Sequence, residues 1–349
     1  MNKDSKLNQQ SRRQFLKSAA VAGTALYFFP GNLFSSSPNS RKIEMSNYSF
    51  DYKYRTVSAE HVKEIGEWFE KLKKDGKLSN NETYRKYIGN FEFNSEKVFA
   101  GAKSLIIISI PQNIISVTFH KGGKAYEVRT PTGYFSDGLT QKEVQDRIMN
   151  EVIKDSSKKI QGGPRLPLKT LAVRSGLAEY GKNNISFVNG GYGSFHRLVG
   201  FYTDKIMPDN WGPLKMLQLC KGCSICMKAC PTRCITEENF VIDVGKCVTL
   251  YNEVPDPMPA WMDPKAHNAM AGCFKCQDTC PANAESIKRV QKLPDITEKE
   301  TDLILNLKKD KAIEDSIIKK LGGFLSSAED FPYLSRNLKL VLANTLPKK

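Results

Sequence analysis

All nine cysteines of this 349-residue chain lie between positions 220 and 280. A disulfide-stabilised fold distributes cysteine pairs through a small secreted chain, so their concentration in one part of a large chain favours metal binding. Residues 220–231 read CKGCSICMKACP, the spacing of a bacterial ferredoxin run in which three cysteines hold one iron–sulfur cluster and the fourth reaches a second. A second group, GCFKCQDTCP, supplies three more cysteines before another proline. The sequence therefore predicts two [4Fe-4S] clusters.

Two four-iron clusters need eight thiolates, and the crossed pattern divides them into two sets. The first predicted set is Cys220, Cys223, Cys226 and Cys280. The second set is Cys230, Cys273, Cys276 and either Cys247 or Cys234. We favour Cys247, because Cys234 lies only four residues after Cys230; Cys234 is then a buried free thiol. The competing interpretation is structural zinc in two four-cysteine sites, which the ferredoxin-type spacing disfavours.

The amino-terminal residues predict an export signal. Arg12 and Arg13 are followed by Phe15, Leu16 and Lys17, and then by a short apolar segment at 19–29. A positive region before an apolar stretch too short to span a bilayer is typical of a secretory signal, and the paired arginines resemble a twin-arginine signal. The competing interpretation is a chance pair before an ordinary secretory peptide. We expect export by the twin-arginine route to the periplasm or the outer face of the cytoplasmic membrane.

The formal net charge of +15 at pH 7 bears on the partners of the protein. Such a charge suits nucleic acid, an anionic membrane face or an acidic protein. The sequence has no basic run with interleaved aromatic residues, and cluster-bound thiolates offset part of the charge, so we expect no nucleic-acid partner. The expected partners are the twin-arginine export machinery, an electron donor protein or quinol system, and a membrane anchor protein.

Hydrophobic periodicity predicts an α+β fold. A helix is expected after Ser58, a buried strand at 104–110, and a hairpin that turns at Gly122–Gly123. Thr140 and Glu143 form a capping box for the next helix. A short helix follows Pro167, strands are expected at 185–188 and 196–203, and helical patterns cover 297–321 and 328–344.

These patterns divide the chain into five parts. The predicted parts are a signal at 1–34, a linker at 35–56, an α/β cofactor and substrate domain at 57–205, a ferredoxin-like double-cluster domain at 206–285, and a helical tail at 286–349. Clusters with crossed ligands pass electrons, so we expect an acceptor either in another protein or in a cofactor held by the α/β domain.

Two segments before the cysteines carry a family resemblance. SGLAEYGKNN (175–184) and GSFHRLVGFYTD (193–204), together with the cysteine runs and Cys247, resemble the epoxyqueuosine reductase and reductive dehalogenase superfamily. The resemblance covers about 165–285, and it supports Cys247 as the eighth ligand. It implies a nitroreductase-like α/β domain that holds a corrinoid, which one cluster reduces.

The resemblance also implies which residues contact the corrinoid. They are Tyr180, Gly181, Lys182, Asn183, Asn184, Gly193, Ser194 and Arg197. The competing interpretation is that the glycines only shape turns and that Lys182 and Arg197 are solvated.

The chain also departs from the family pattern. Epoxyqueuosine reductases place a catalytic aspartate shortly before the helix that leads to the glycine motif, where this chain has Gly162 and Gly163. The weak candidates for a catalytic proton donor are Tyr134, Tyr180 and His196, although most tyrosines are packing residues. The catalytic residue therefore stays unassigned.

Together these features predict an exported iron–sulfur oxidoreductase similar to the reductive dehalogenases. Its two [4Fe-4S] clusters are expected to pass electrons to a corrinoid-type centre that reduces a small organic substrate. The alternative is a ferredoxin-like electron-transfer protein with no corrinoid and no catalysis of its own.

Overall fold

The computed structural model describes residues 51–131, 140–190, 192–238, 240–254, 256–321 and 331–348. The strands, in chain order, are β1 Lys53–Ser58, β2 Ser104–Pro111, β3 Ile114–Lys121, β4 Lys124–Thr130, β5 Ile160–Gly162, β6 Glu179–Tyr180, β7 Ser186–Phe187, β8 His196–Thr203 and β9 Val290–Lys292. They form an antiparallel sheet of order β1-β2-β8-β5, a second sheet of order β4-β3-β9, and a small β6-β7 pair.

The helices include those that the periodicity predicted and several short ones that it did not. They are α1 His61–Lys74, α2 Glu82–Ile88, α3 Ser95–Val98, α4 Gln141–Ile148, α5 Leu168–Arg174, α6 Ile225–Ala229, α7 Val248–Asn252, α8 Lys275–Asp278, α9 Glu298–Asn306, α10 Lys311–Leu321 and α11 Phe331–Asn344, with a π-helical turn at Met149–Ile153. The capping box of Thr140 and Glu143 is confirmed at the start of α4. The pattern at 297–321 is two helices, because Leu307 ends α9 in the left-handed region at φ 52°.

Strand β2 is buried on both faces. Ile106 and Ile108 pack against α4 residues such as Val144 and Ile148, whereas Leu105 and Ile107 pack in the core that includes α1 and α5. A continuous apolar run is usual for a parallel strand that is covered on both faces. Here the same coverage is achieved for an antiparallel strand, because helices lie on both sides of the first sheet.

The predicted hairpin is confirmed as β3 and β4. Gly122 and Gly123 have φ of 57° and 68°, the left-handed geometry of a tight two-residue turn that glycine adopts readily. Beyond the cysteine region, β9 pairs in parallel with β3. Apolar residues of α9, α10 and α11 then pack with the hairpin in one core.

The cysteine region lies between β8 and β9 and contains short helices and turns. The carboxyl-terminal helices share a core with the hairpin, while the division at 205 and 285 stays a prediction. In the part of the chain that the structure describes, no helix has the length and apolar content to cross a membrane.

Candidate metal centre

The structure places the nine cysteines around two pockets. Cys220, Cys223, Cys226 and Cys280 line the first pocket. Cys230, Cys234, Cys247, Cys273 and Cys276 line the second. This is the grouping that the crossed ligand pattern requires, since the last cysteine of each run lies in the other run's pocket. Four or more thiol groups around each pocket suit the ligand chemistry of a [4Fe-4S] cluster.

A repeated local sequence produces this crossing. Cys223, Cys226 and Cys230 have the same spacing as Cys273, Cys276 and Cys280, and each triplet is followed by proline. The middle cysteine of each triplet lies in one of the short helices α6 and α8, which pack against each other. The third cysteine follows its helix in an extended conformation, and this directs its side chain away from the first two.

The fifth cysteine of the second pocket contacts two of the others. Cys234 is 2% exposed, and its Sγ lies 3.5 Å from Sγ of Cys230. A hydrogen bond from Cys234 lowers the pKa of Cys230 to about 5 and that of Cys247 to about 7, while the same contacts raise the pKa of Cys234. Cys234 thus lies within contact of Cys230, and the choice between Cys247 and Cys234 as the eighth ligand stays a prediction.

Residues 181–184, with the sequence GKNN, lie between the two pockets. The backbone N–H of Lys182 donates to Sγ of Cys220 at 3.4 Å, and its Nζ donates to the Cys223 carbonyl oxygen at 2.9 Å. Asn183 lines both pockets, and its Nδ2 donates to the Cys276 carbonyl oxygen at 3.4 Å. Asn184 lines the second pocket and has a left-handed φ of 60°, which asparagine tolerates better than most residues. In this structure, the loop that was predicted to contact a corrinoid therefore forms hydrogen bonds with the cysteine segments.

The second predicted contact segment is also packed against protein. The backbone N–H of Ser194 donates to Oδ1 of Asn283 at 2.9 Å, and its hydroxyl donates to Oε1 of Gln277 at 2.8 Å. A Cβ at Gly193, whose φ is 56°, would clash with Ser286 and Asn283. Arg197 lies half-buried on β8. Gly193 and Ser194 fit closely against residues 277–286, which explains their small side chains without a corrinoid.

The candidate proton donors lie in different surroundings. His196 is buried, with Nδ1 3.1 Å from the Gly193 carbonyl oxygen and Nε2 3.1 Å from Oγ of Ser186. Because a carbonyl only accepts, Nδ1 carries the proton, and burial lowers the pKa of His196 to about 4. Tyr180 is also buried, with its hydroxyl 3.0 Å from Oγ1 of Thr170, and burial raises its pKa. Tyr134 lies outside the described residues. The roles of all three stay predictions.

The structure explains the absence of an acid before α5. A side chain at Gly162 would clash with Gln141 and approach Cε1 of Phe201 to 2.9 Å, and Gly163 has a left-handed φ of 73°. Gly162 therefore does not accommodate an aspartate in this backbone, and an aspartate at Gly163 would adopt a strained backbone conformation.

One functional candidate was missed by the sequence patterns. Lys169, on α5, is 7% exposed and lines the second pocket. Its Nζ donates to the Asn184 carbonyl oxygen at 2.7 Å. Burial lowers its pKa to about 7, opposed by the charges of Cys247 and Cys276. Its position inside the apolar pattern LKTLAV was the available signal, since a lysine is rarely buried without a reason.

Residues 219–283 match the family model of the 4Fe-4S double cluster binding domain. The chain therefore carries a double-cluster domain, and the prediction of [4Fe-4S] clusters is supported. The corrinoid is not supported by the match or by the relatives described next.

Relatives of known function share part of the chain. This chain is 28% identical over 192 residues to the epoxyqueuosine reductase of Leadbetterella byssophila, and the match covers 54% of this chain and 61% of that one. It is 35% identical over 118 residues to the epoxyqueuosine reductase of a Synechocystis species, covering 33% of this chain and 39% of that one. The matched part thus spans less than two thirds of these relatives. Their names support the expected class, an oxidoreductase.

Solved structures show the same mixed α/β fold. Epoxyqueuosine reductase from Streptococcus thermophilus superposes with a TM-score of 0.58 at 17% identity, covering 84% of this chain and 77% of that one. An epoxyqueuosine reductase bound to an epoxyqueuosine-modified tRNA stem loop gives a TM-score of 0.60 at 18% identity, covering 85% and 78%. The finer expectation of a nitroreductase-like corrinoid domain is not confirmed by these matches.

Two predictions are corrected by these comparisons. The expected dehalogenase-like corrinoid enzyme is wrong, because the relatives are epoxyqueuosine reductases. The exclusion of nucleic acid is also wrong, because one structural relative is bound to a tRNA stem loop. The exclusion failed because it relied on local basic runs, which a folded surface does not need.

Proposed function

We propose that this protein is an iron–sulfur reductase in which two [4Fe-4S] clusters pass single electrons to a substrate bound near the second pocket. The arrangement of the nine cysteines around two pockets that share Asn183 carries this proposal. Each cluster supplies one electron at a time, so two adjacent clusters hold the electron pair that reduction of a closed-shell substrate needs.

The described residues have distinct tasks in such a reaction. The cysteine thiolates hold the clusters, and the apolar wall of the second pocket, which includes Ile185, Ile235 and Val248, excludes water. The GKNN loop fixes the distance between the two cysteine groups through its bonds to Cys220 and Cys276. A corrinoid is not part of this proposal.

The relatives supply the first candidate substrate, an epoxyqueuosine nucleotide in tRNA. The formal charge of +15 suits a polyanionic substrate. Loss of the epoxide oxygen as water takes two electrons and two protons. With Gly162 and Gly163 near the position of the family's aspartate, these protons must come from another group or from water. A direct assay therefore decides this part of the proposal.

The experiment uses full-length protein purified without oxygen. Roughly eight irons per chain and equal sulfide are expected for two clusters. The loaded protein is then mixed with dithionite and an epoxyqueuosine-modified tRNA stem loop, and the nucleosides are analysed by mass spectrometry. Loss of the epoxide oxygen supports the proposal, with the unmodified stem loop and Cys276→Ser as controls. Full iron content without conversion would contradict the substrate, and zinc in place of iron would contradict the clusters.

We propose separately that the segment with Arg12 and Arg13 directs export by the twin-arginine route. Cell fractionation of the wild type and of the Arg12→Lys/Arg13→Lys variant tests this. Accumulation outside the cytoplasm for the wild type alone supports export, and cytoplasmic retention of both contradicts it. Export would separate the protein from cellular tRNA. The protein would then still be a reductase in this proposal, but its substrate would be a different molecule.

A further inference from the structure

Lysines lie in the walls of both cysteine pockets: Lys182 at the first, and the buried Lys169 with the exposed Lys275 at the second. Lys182 and Lys169 have different partners. At the first pocket, Nζ of Lys182 donates to both carboxylate oxygens of Glu237 at 2.7 Å. This ion pair is accessible to water, with side-chain exposures of 16% for Lys182 and 57% for Glu237. The carboxylate offsets the lysine charge, and the solvent screens what remains.

Lys169 at the second pocket lacks this compensation. It is 7% exposed, and its Nζ donates to the neutral carbonyl oxygen of Asn184 at 2.7 Å. Among the residues that the structure describes, no carboxylate forms an ion pair with it. The negative charges of the Cys247 and Cys276 sulfurs favour the charged form of Lys169.

A buried, uncompensated cation acts on a cluster more strongly than an exposed pair. Coulomb interactions grow as the effective dielectric constant falls, and the reduced form of a cluster carries one more negative charge than the oxidised form. A neighbouring ammonium group therefore stabilises the reduced form and raises the reduction potential, which local charge and burial are known to tune.

We propose that Lys169 raises the reduction potential of the second cluster above that of the first, and so directs electrons from the first pocket to the second. This inference rests on the cluster binding in the proposed function and is independent of the substrate. Lys169 contacts neither substrate nor iron in this role; it is a positioning residue that acts through charge.

The test is a redox titration of the loaded full-length protein, followed by electron paramagnetic resonance of the reduced clusters. The signal of the second cluster is identified as the one that Cys276→Ser removes. In the wild type we expect this signal to titrate at the higher potential. In Lys169→Gln its reduced-to-oxidised ratio at a fixed potential should fall about tenfold, which is a midpoint shift of about 59 mV for one electron. Lys169→Arg should retain the wild-type order.

Lys71 and Asp75 form an exposed ion pair that lines neither cysteine pocket, and they provide the control. Lys71→Gln/Asp75→Asn removes both charges and leaves the net charge unchanged, so neither midpoint should move. Unchanged midpoints in Lys169→Gln, or a shift at the first cluster instead, would overturn the inference. If Lys169→Gln fails to load its second cluster, the midpoint potentials of the two wild-type clusters are compared instead. A lower midpoint for the second wild-type cluster than for the first overturns the proposal. Absence of both signals in the wild type would instead contradict the proposed cluster binding.

Discussion

The backbone N–H of Lys182 donates to Sγ of Cys220 across 3.4 Å. In the same loop Asn183 donates to the carbonyl oxygen of Cys276, so consecutive residues contact both cysteine groups. Hydrogen bonds to cluster sulfurs and their neighbours orient the ligands and tune their electron density. The loop that resembles a cofactor-binding motif in sequence therefore serves as the connection between the two predicted clusters.

The two candidate eighth ligands give the first prediction. Cys247→Ser should lose one cluster, with iron falling from roughly eight to roughly four per chain, because it removes one of the four predicted ligands of the second cluster. Cys234→Ser should keep both clusters, since it leaves all eight predicted ligands in place. Iron and sulfide analysis measures the difference. Loss of a cluster in Cys234→Ser but not in Cys247→Ser would show that Cys234 is the ligand and that Cys247 is the free thiol.

A second prediction concerns the close fit of Gly193. Gly193→Ala should lower the free energy of unfolding by about 1–3 kcal/mol from the left-handed backbone alone, with a further loss because the new Cβ clashes with Ser286 and Asn283. Gly122→Ala is the matched control, because its φ is similar and nothing lies within 4 Å of a Cβ there. Urea unfolding of both variants measures the difference; equal losses would contradict the close fit.

The buried His196 predicts a pH dependence of stability. Its folded pKa, about 4, is below the ordinary value of 6.5, so the unfolded chain binds more protons between these pH values. Stability from this residue is therefore present above pH 6.5 and falls as pH decreases toward 4, by about 1.4 kcal/mol per unit at most. Anaerobic urea unfolding between pH 7 and pH 5 should show a smaller decrease for His196→Gln than for the wild type. An equal decrease of the unfolding free energy in His196→Gln and in the wild type would show that His196 does not titrate in this way.

The centre of the first sheet allows a comparison of identical substitutions. Ile107 has no exposed surface, whereas Ile206 is 81% exposed. Ile107→Ala should cost about 2–5 kcal/mol of unfolding free energy, because it opens a cavity on a strand that is packed on both faces. Ile206→Ala should change stability by no more than about 0.5 kcal/mol. A small loss at Ile107 in the same urea experiment would contradict the assigned core.

Local features were predictable from the sequence, and long-range ones were not. The capping box of Thr140 and Glu143 and the turn at Gly122–Gly123 depend on neighbouring residues, and both were confirmed. The parallel pairing of β3 with β9 depends on tertiary register, which no local pattern encodes. The cysteine grouping followed from spacing, but the burial of Lys169 depends on which segments cover α5. The function prediction gave weight to the export signal over the similarity to epoxyqueuosine reductases, and that weighting led to the dehalogenase-like assignment that the relatives contradict.

The β3–β9 pair closes a loop that contains all nine cysteines. Contacts between residues so far apart in sequence form late in folding, because the chain entropy lost on loop closure precedes the energy gained. We therefore expect the thiols to lie on an open loop, accessible to iron and sulfide delivery, until the strand pair forms. Closure of the strand pair and cluster assembly stabilise one another, so a chain that matures without iron should unfold first at β9.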